Sequence, residues 1–210
     1  SMNEDAMQEA ERALLRRARL ALASLSNLFG TLLDVARLDS GVIEPHLIDF
    51  PVAALLDRIG PEFQAVARAA GIELRFRPCR AWVRTALHLL ETVLRNFISN
   101  AIRYTPRGRV LVGCRRRPGS LLIAVCDTGI GIDARHLDAI FDAYYQVPDS
   151  KNRGAMGIGL GLSIVSRITR LLSIERVVRS HPGRGSLFGV IVPYGSDHRD
   201  VPGSLVWQGP

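Results

Sequence analysis

The sequence predicts a soluble protein of mixed helices and strands, in which one long helix leads a single further domain. Three observations carry that reading. Between residues 3 and 39 apolar side chains recur every seven residues in parallel rows. Beyond residue 45, short apolar runs bounded by Gly and Pro alternate with stretches of helical period. Aliphatics are plentiful while aromatics make up only 6% of the 210 residues, which excludes disordered and collagenous classes. A chain of this length buries one good core, with room for a smaller appendage.

The long helix has three apolar rows: Leu14, Ala21, Leu28 and Val35; Ala18, Leu25 and Leu32; Leu15, Leu22, Phe29 and Ala36. Three rows are wider than a two-stranded seam and suit a helix inside a four-helix bundle. Glu11, Arg12, Arg16, Arg19 and Arg37 fill the other side, and Gly41 with Pro45 ends the helix. Residues 46–50 read as a short strand, with Pro51 opening a helix at its first position. Gly60-Pro61 is expected to kink or break that helix before it reaches Ala70 and its Gly71 cap. Residues 72–77 and 81–84 read as two strands joined by a turn at Pro78. Residues 85–104 form a helix with Leu90, Leu94, Phe97 and Ala101 on its core face. Residues 109–115 and 121–126 form a hairpin, and Asp133 caps a short helix ending near Phe141. Residues 142–156 are too long for a plain connection. A glycine-spaced run from Gly157 then leads into a helix ending near Leu172. Strands at 174–180 and 186–192 close the sheet, and the composition after Pro193 is that of a linker.

Charge and cysteines narrow the classes. The net charge is +7, nearly all from arginine, with Lys151 the only lysine. Arg115-Arg116-Arg117 precede a Pro-Gly turn and have no interleaved aromatics, so they read as a solvated hairpin tip and not as a nucleic-acid platform. Cys79, Cys114 and Cys126 lack metal-ligand spacing and read as small buried hydrophobes in a reducing compartment. The run from Leu20 to Leu33 is too short and polar to span a bilayer, and the acidic first ten residues are no signal peptide.

The stretch Asp127-Thr128-Gly129-Ile130-Gly131-Ile132 follows a buried-strand pattern. A carboxylate there is costly to bury unless something pairs with it, and the glycines let a flat ligand approach the backbone. Such an acceptor suits a purine's exocyclic amine. Asn96, Asn100 and Arg103 stand at i, i+4, i+7 on one helix face, about 100° around from the apolar stripe. Two amide oxygens beside an arginine suit a hydrated Mg²⁺ and its phosphates, although a solvated polar edge would look the same. The alternate glycines of Gly157-Ile158-Gly159-Leu160-Gly161-Leu162 would expose backbone N–H groups at a helix N-terminus, a phosphate site by geometry and dipole. They match neither a Walker loop nor the Rossmann spacing.

Residues 96–106 (NFISNAIRYTP), 127–132, 141–146 (FDAYYQ), 157–162 and 183–188 resemble, in order and spacing, the N, G1, F, G2 and G3 boxes of the ATP-binding domain of two-component sensor histidine kinases. Residues 32–41 resemble the end of the second helix of that family's dimerisation and phosphotransfer domain. The resemblance implies an α+β fold, the Bergerat-type α/β sandwich, with a mixed sheet covered on one face by helices. It divides the chain into residues 1–45 (a helix of the dimerisation domain), 46–193 (the ATP-binding catalytic domain) and 194–210 (a linker). It implies ATP and Mg²⁺, with Asn100 as metal ligand and Asn96 assisting. Arg103 stands at the phosphates where the family usually has lysine, and Tyr104 lies near the nucleotide. Asp127 reads adenine, with Gly129, Gly131 and Ile132 around it. Tyr145 and Gln146 close the F box, where many relatives carry arginine at the latter position. Residues 142–156 become a lid holding Arg153, while Gly157, Gly159, Leu160, Gly161, Leu162 and Ser186 complete the nucleotide-binding set. Ser173 occupies a helix end where glycine is common.

The resemblance further implies a homodimer through the N-terminal helix, a response regulator or fused receiver domain as partner, and a cytoplasmic location, whether or not the parent protein is membrane-anchored. The family's phosphoacceptor is a histidine followed directly by Glu or Asp. None of the five histidines here is so followed, so this chain holds no catalytic acceptor. Two rival readings are a non-catalytic ATP-responsive interaction module and another Bergerat-fold ATPase. The latter typically has a glutamate base one turn before the metal asparagine, where this chain has Asn96.

Overall fold

The computed structural model describes residues 45–147 and 159–196. Contacts divide the chain into two units, 1–43 and 44–210. The long N-terminal helix, Arg153, Gly157 and the tail beyond residue 196 all lie outside the described residues.

The second unit runs β1 (Ile48–Pro51), α1 (Val52–Ala69), β2 (Glu73–Phe76), β3 (Trp82–Thr85), α2 (Leu87–Arg103), β4 (Arg109–Arg117), β5 (Ser120–Asp127), two 3₁₀ turns (Ala134–His136 and Ala139–Phe141), α3 (Gly161–Leu171), β6 (Glu175–His181) and β7 (Gly185–Pro193). Five strands form a mixed sheet in the order β2-β4-β5-β7-β6, with β2 parallel to β4 and the other neighbours antiparallel. β1 and β3 form a separate antiparallel pair, joined to the end of β7 by a Val83–Tyr194 bridge. No helix among the described residues is long and apolar enough to cross a membrane.

β5 is the centre of the sheet and is buried along Leu121–Asp127 on both faces. α2 packs over it with Leu90, Val93, Leu94 and Ile98 fully buried, as the stripe of helical period requires. Phe97 meets Phe188 of β7 at 5.7 Å between ring centroids. Each such large side chain contributes about 1.5–3 kcal/mol relative to exposure, so α2 forms although no side chain caps its N-terminus. Register places Val125, Val112 and Phe188 on this same helix-covered face; Asp127, two residues beyond Val125, shares it.

Four local expectations are corrected. Pro51 ends β1 opposite Trp82 and caps α1, and the helix begins at Val52. α1 then runs unbroken through Pro61. The residue before a proline is normally pushed out of helix by its Cβ, and Gly60 has none. The strands on either side of Pro78 go to different sheets, β2 to the main one and β3 to β1. The short helix after Asp133 is two 3₁₀ turns; Asp133 does cap the first, accepting from Arg135 N at 3.1 Å.

α3 ends in a left-handed turn at Ser173 (φ 52°), where Ile174 N reaches back to Thr169 O at 3.0 Å. That conformation favours glycine, and a side chain there costs about 1–2 kcal/mol. Ser173→Gly is therefore expected to raise the melting temperature by roughly 2–4 °C. A thermal scan showing no gain would mean that the serine side chain repays the strain.

Candidate nucleotide site

Asp127 ends β5 facing the helices, 6% exposed. Its Oδ1 accepts from Gly129 N at 2.8 Å and from Ser186 N at 3.2 Å. No hydrogen bond within the described residues uses Oδ2, so the carboxylate is held from one side and free to accept on the other. Desolvation pushes its pKa up to about 6, against the pull of the two backbone N–H groups.

The loop after Asp127 is fastened on two sides. Ile130 N donates to Tyr104 O at 3.1 Å, and Gly183 N donates to Ile130 O at 2.7 Å. Ile132 N donates to Ser180 Oγ at 2.8 Å, and that hydroxyl also contacts Ser186 Oγ at 2.9 Å. A Cβ on Gly129 would sit 2.2 Å from Tyr104 O, and one on Gly131 would sit 1.9 Å from His181 O. The end of α2, the turn after β5 and the turn into β7 thus meet around Asp127.

A second cluster lies between α2 and α3. Asn96 donates through Nδ2 to Thr92 O at 2.8 Å. Its Oδ1 lies 2.5 Å from where a Cβ on Gly161 would stand, which puts the asparagine against the first residue of α3. Asn100, one turn on, and Arg103 are half-buried, and no described residue pairs with either side chain. Leu160 is buried and offers no side-chain cap to α3, while Ser163 donates to its carbonyl at 2.9 Å and Leu162 is half-buried. Among the described residues no cluster of three or more His, Cys, Asp or Glu could hold a metal. A hard cation here would therefore lean on amide oxygen, phosphate and water, which the Asn100 amide, unpartnered among the described residues, fits.

The segment after the 3₁₀ turns is also anchored. Tyr144 N donates to Gly159 O at 3.1 Å, and Tyr145 OH meets His136 Nδ1 at 2.6 Å. Arg176 of β6 lies over the Phe141 ring, 4.3 Å from its centroid, and donates to Ser166 of α3. Gln146 is exposed. Ser180 and Thr105 had no sequence signal. Thr105 is buried with its hydroxyl unpaired, 2.9 Å from the Cβ position of Gly129. Ser180 enters the site only because β6–β7 register sets it opposite Ser186.

A mixed sheet roofed on one face by helices, with a buried carboxylate at the central strand's end and two glycine turns beside an asparagine-bearing helix, is an ATP-binding α/β sandwich. A profile of the histidine kinase-, DNA gyrase B-, and HSP90-like ATPase family matches residues 86–196. The chain belongs to that family, and its ATP-binding domain is of the sensor histidine kinase type. It is 33% identical to "Sensor protein SrrB" of Staphylococcus aureus over 171 residues, 80% of this chain and 29% of that protein. The chain thus spans under a third of that relative's length. Full-length ShkA in complex with AMPPNP superposes with a TM-score of 0.73 at 28% identity, over 83% of this chain and 37% of that one. The Acinetobacter baumannii histidine kinase AdeS gives 0.64 at 19% identity over 80% and 78%, a likeness of fold.

Proposed function

We propose that this chain is the catalytic portion of a sensor histidine kinase, transferring the γ-phosphate of ATP to a histidine on a dimerisation helix for relay to a response regulator. Asp127 accepts from the adenine amine through Oδ2, with Gly129, Gly131, Ile132 and Tyr104 shaping the base pocket and Ser186 holding the carboxylate. Asn100, assisted by Asn96, holds Mg²⁺, which neutralises phosphate charge when bound. Arg103 and the α3 N-terminus, with Gly157, Gly159, Leu160, Gly161 and Leu162, bind the phosphates. Tyr145, Gln146 and Arg153 belong to a lid over the nucleotide.

One observation carries the choice of transfer over hydrolysis. The position one turn before Asn100 is Asn96, whose amide is tied to Thr92 O and accepts no proton. Without a base, water is poorly activated, whereas phosphoryl transfer to an outside nucleophile needs mostly positioning and charge neutralisation. None of the chain's histidines is followed by a carboxylate, so the chain alone is expected to take up no phosphate. It should phosphorylate a separately supplied acceptor helix weakly, because tethering is lost. Incubation with γ-labelled ATP tests this; stoichiometric acid-labile label on this polypeptide alone would sink the assignment.

Residues 1–45 are assigned to a dimerisation helix, 46–193 to catalysis and 194–210 to a linker. The support is the three-row periodicity of residues 14–36, more apolar surface than one domain needs for docking. Light scattering is expected to give a dimer or larger species. A monomer at high concentration would argue against the homodimer.

A further inference from the structure

The sheet has a second face that the nucleotide site does not use. Val112, Val125 and Phe188 point to the helices, so the residues next to them in each strand point the other way. On that side Gly113, Ala124 and Gly189 stand in one register row across β4, β5 and β7. Leu111, Cys126 and Leu187 form the row on one flank, and Arg115, Leu122 and Ile191 the row on the other. Small residues between taller ones make a trough. Leu122 leans over Gly189, its Cδ1 2.9 Å from where a Cβ there would stand, and the stem of Arg77 lies 3.6 Å from the Cβ position of Gly113. An open apolar depression of about 250 Å³ remains over Gly113 and Ala124, walled by Leu111, Leu122 and Cys126. Leu122, Ala124 and Cys126 are 4%, 6% and 7% exposed, a surface that water barely reaches. Such a depression takes an aromatic side chain, since a cavity of about 150 Å³ holds benzene. At the rim Arg115 is exposed and Arg117 half-buried, and no described carboxylate pairs with either.

We propose that this trough is the docking site of the chain's own C-terminal segment, with Trp207 in the depression, Leu205 and Val206 beside it, and Asp197 and Asp200 against the rim arginines. Reach, composition and charge select this occupant. The segment starts from a fixed point, because Ser196 donates to the Asp49 carboxylate through N at 3.2 Å and through Oγ at 2.7 Å. From Ser196 back along β7 to Gly189 is roughly 24 Å of strand. Trp207 lies eleven residues beyond Ser196, a reach of up to roughly 36 Å. Pro202-Gly203-Ser204 supplies the turn that sends the chain back over the sheet.

After Asp200 the segment carries no charge, and Leu205-Val206-Trp207 is its one apolar run. Its carboxylates come first, and it departs from the arginine end of the sheet: Pro193 pairs with Ser120, and Ser120 with Arg117. Two such faces, each rimmed by arginines, would repel, which disfavours a second copy of the chain on the same surface.

The test uses the whole 210-residue chain with p-benzoylphenylalanine in place of Trp207, irradiated and then digested for peptide mapping. The expected result is an adduct within one chain, on residues 111–115 or 122–126. Adducts joining two chains, adducts on residues 1–43, or adducts on the helix-covered side would overturn the proposal. Separately, Trp207→Ser is expected to lower the melting temperature by roughly 2–4 °C. An unchanged melting temperature would overturn the proposal too, since an undocked segment contributes nothing to the fold. Position 207 lies outside every described element, so neither variant alters a residue of the sheet or its helices.

Discussion

Asp127→Asn is expected to lower ATP affinity tenfold to a hundredfold without lowering the melting temperature. The amide keeps an oxygen for Gly129 N and Ser186 N but turns an NH₂ toward the adenine amine, donor against donor. A charge-assisted hydrogen bond is worth about 1.5–3 kcal/mol, and about 1.4 kcal/mol is tenfold. The fold should not suffer, because the substitution removes a charge that burial disfavours. The same carboxylate sets a pH dependence. Its pKa in the folded domain, about 6, lies above the ordinary value of 3.8. Protonation therefore favours the nucleotide-free fold: that contribution is fully present below 3.8 and is lost as pH rises through about 6. Adenine binding runs the other way, needing the ionised form, and should weaken as pH falls below about 6 while the fold gains stability. Adenosine is the probe to titrate by calorimetry, since it has no phosphate to protonate in this range. Unchanged affinity in Asp127→Asn would remove Asp127 from the base pocket.

Gly185→Ala is expected to damage fold and site together. Gly185 opens β7 at φ 93°, and a Cβ there would stand 1.9 Å from the carbonyl oxygen of Asp127. The clash is with backbone at the end of the central strand, and the next residue, Ser186, supplies an N–H to the carboxylate. Left-handed strain and forced displacement together cost about 3 kcal/mol or more, a fall of roughly 6–12 °C in melting temperature. Nucleotide affinity should drop with it. Gly183→Ala is the control: it has φ 74° but nothing within 4 Å, so it bears the strain alone. Equal losses in the two variants would show that the contact with Asp127 contributes nothing.

The sequence by itself determined the elements and the order of the nucleotide-binding segments. Periodicity, apolar runs and glycine turns are settled by residues close along the chain, so the stripe Leu90, Leu94, Phe97 and Ala101 was legible and is buried as expected. Asp127 was legible too, because a carboxylate closing an apolar run is anomalous wherever it falls. The tertiary structure alone decided which distant groups share work. Ser186 N reaches Asp127 across 59 positions, Asn96 abuts Gly161, and Ser180 joins the site by register. It also sent β2 and β3 to different sheets and carried α1 through Pro61. Each of these depends on competition between pairings, which local sequence cannot rank. A strand takes the partner that buries its apolar face, and a proline stays in a helix when packing on either side outweighs one missing N–H.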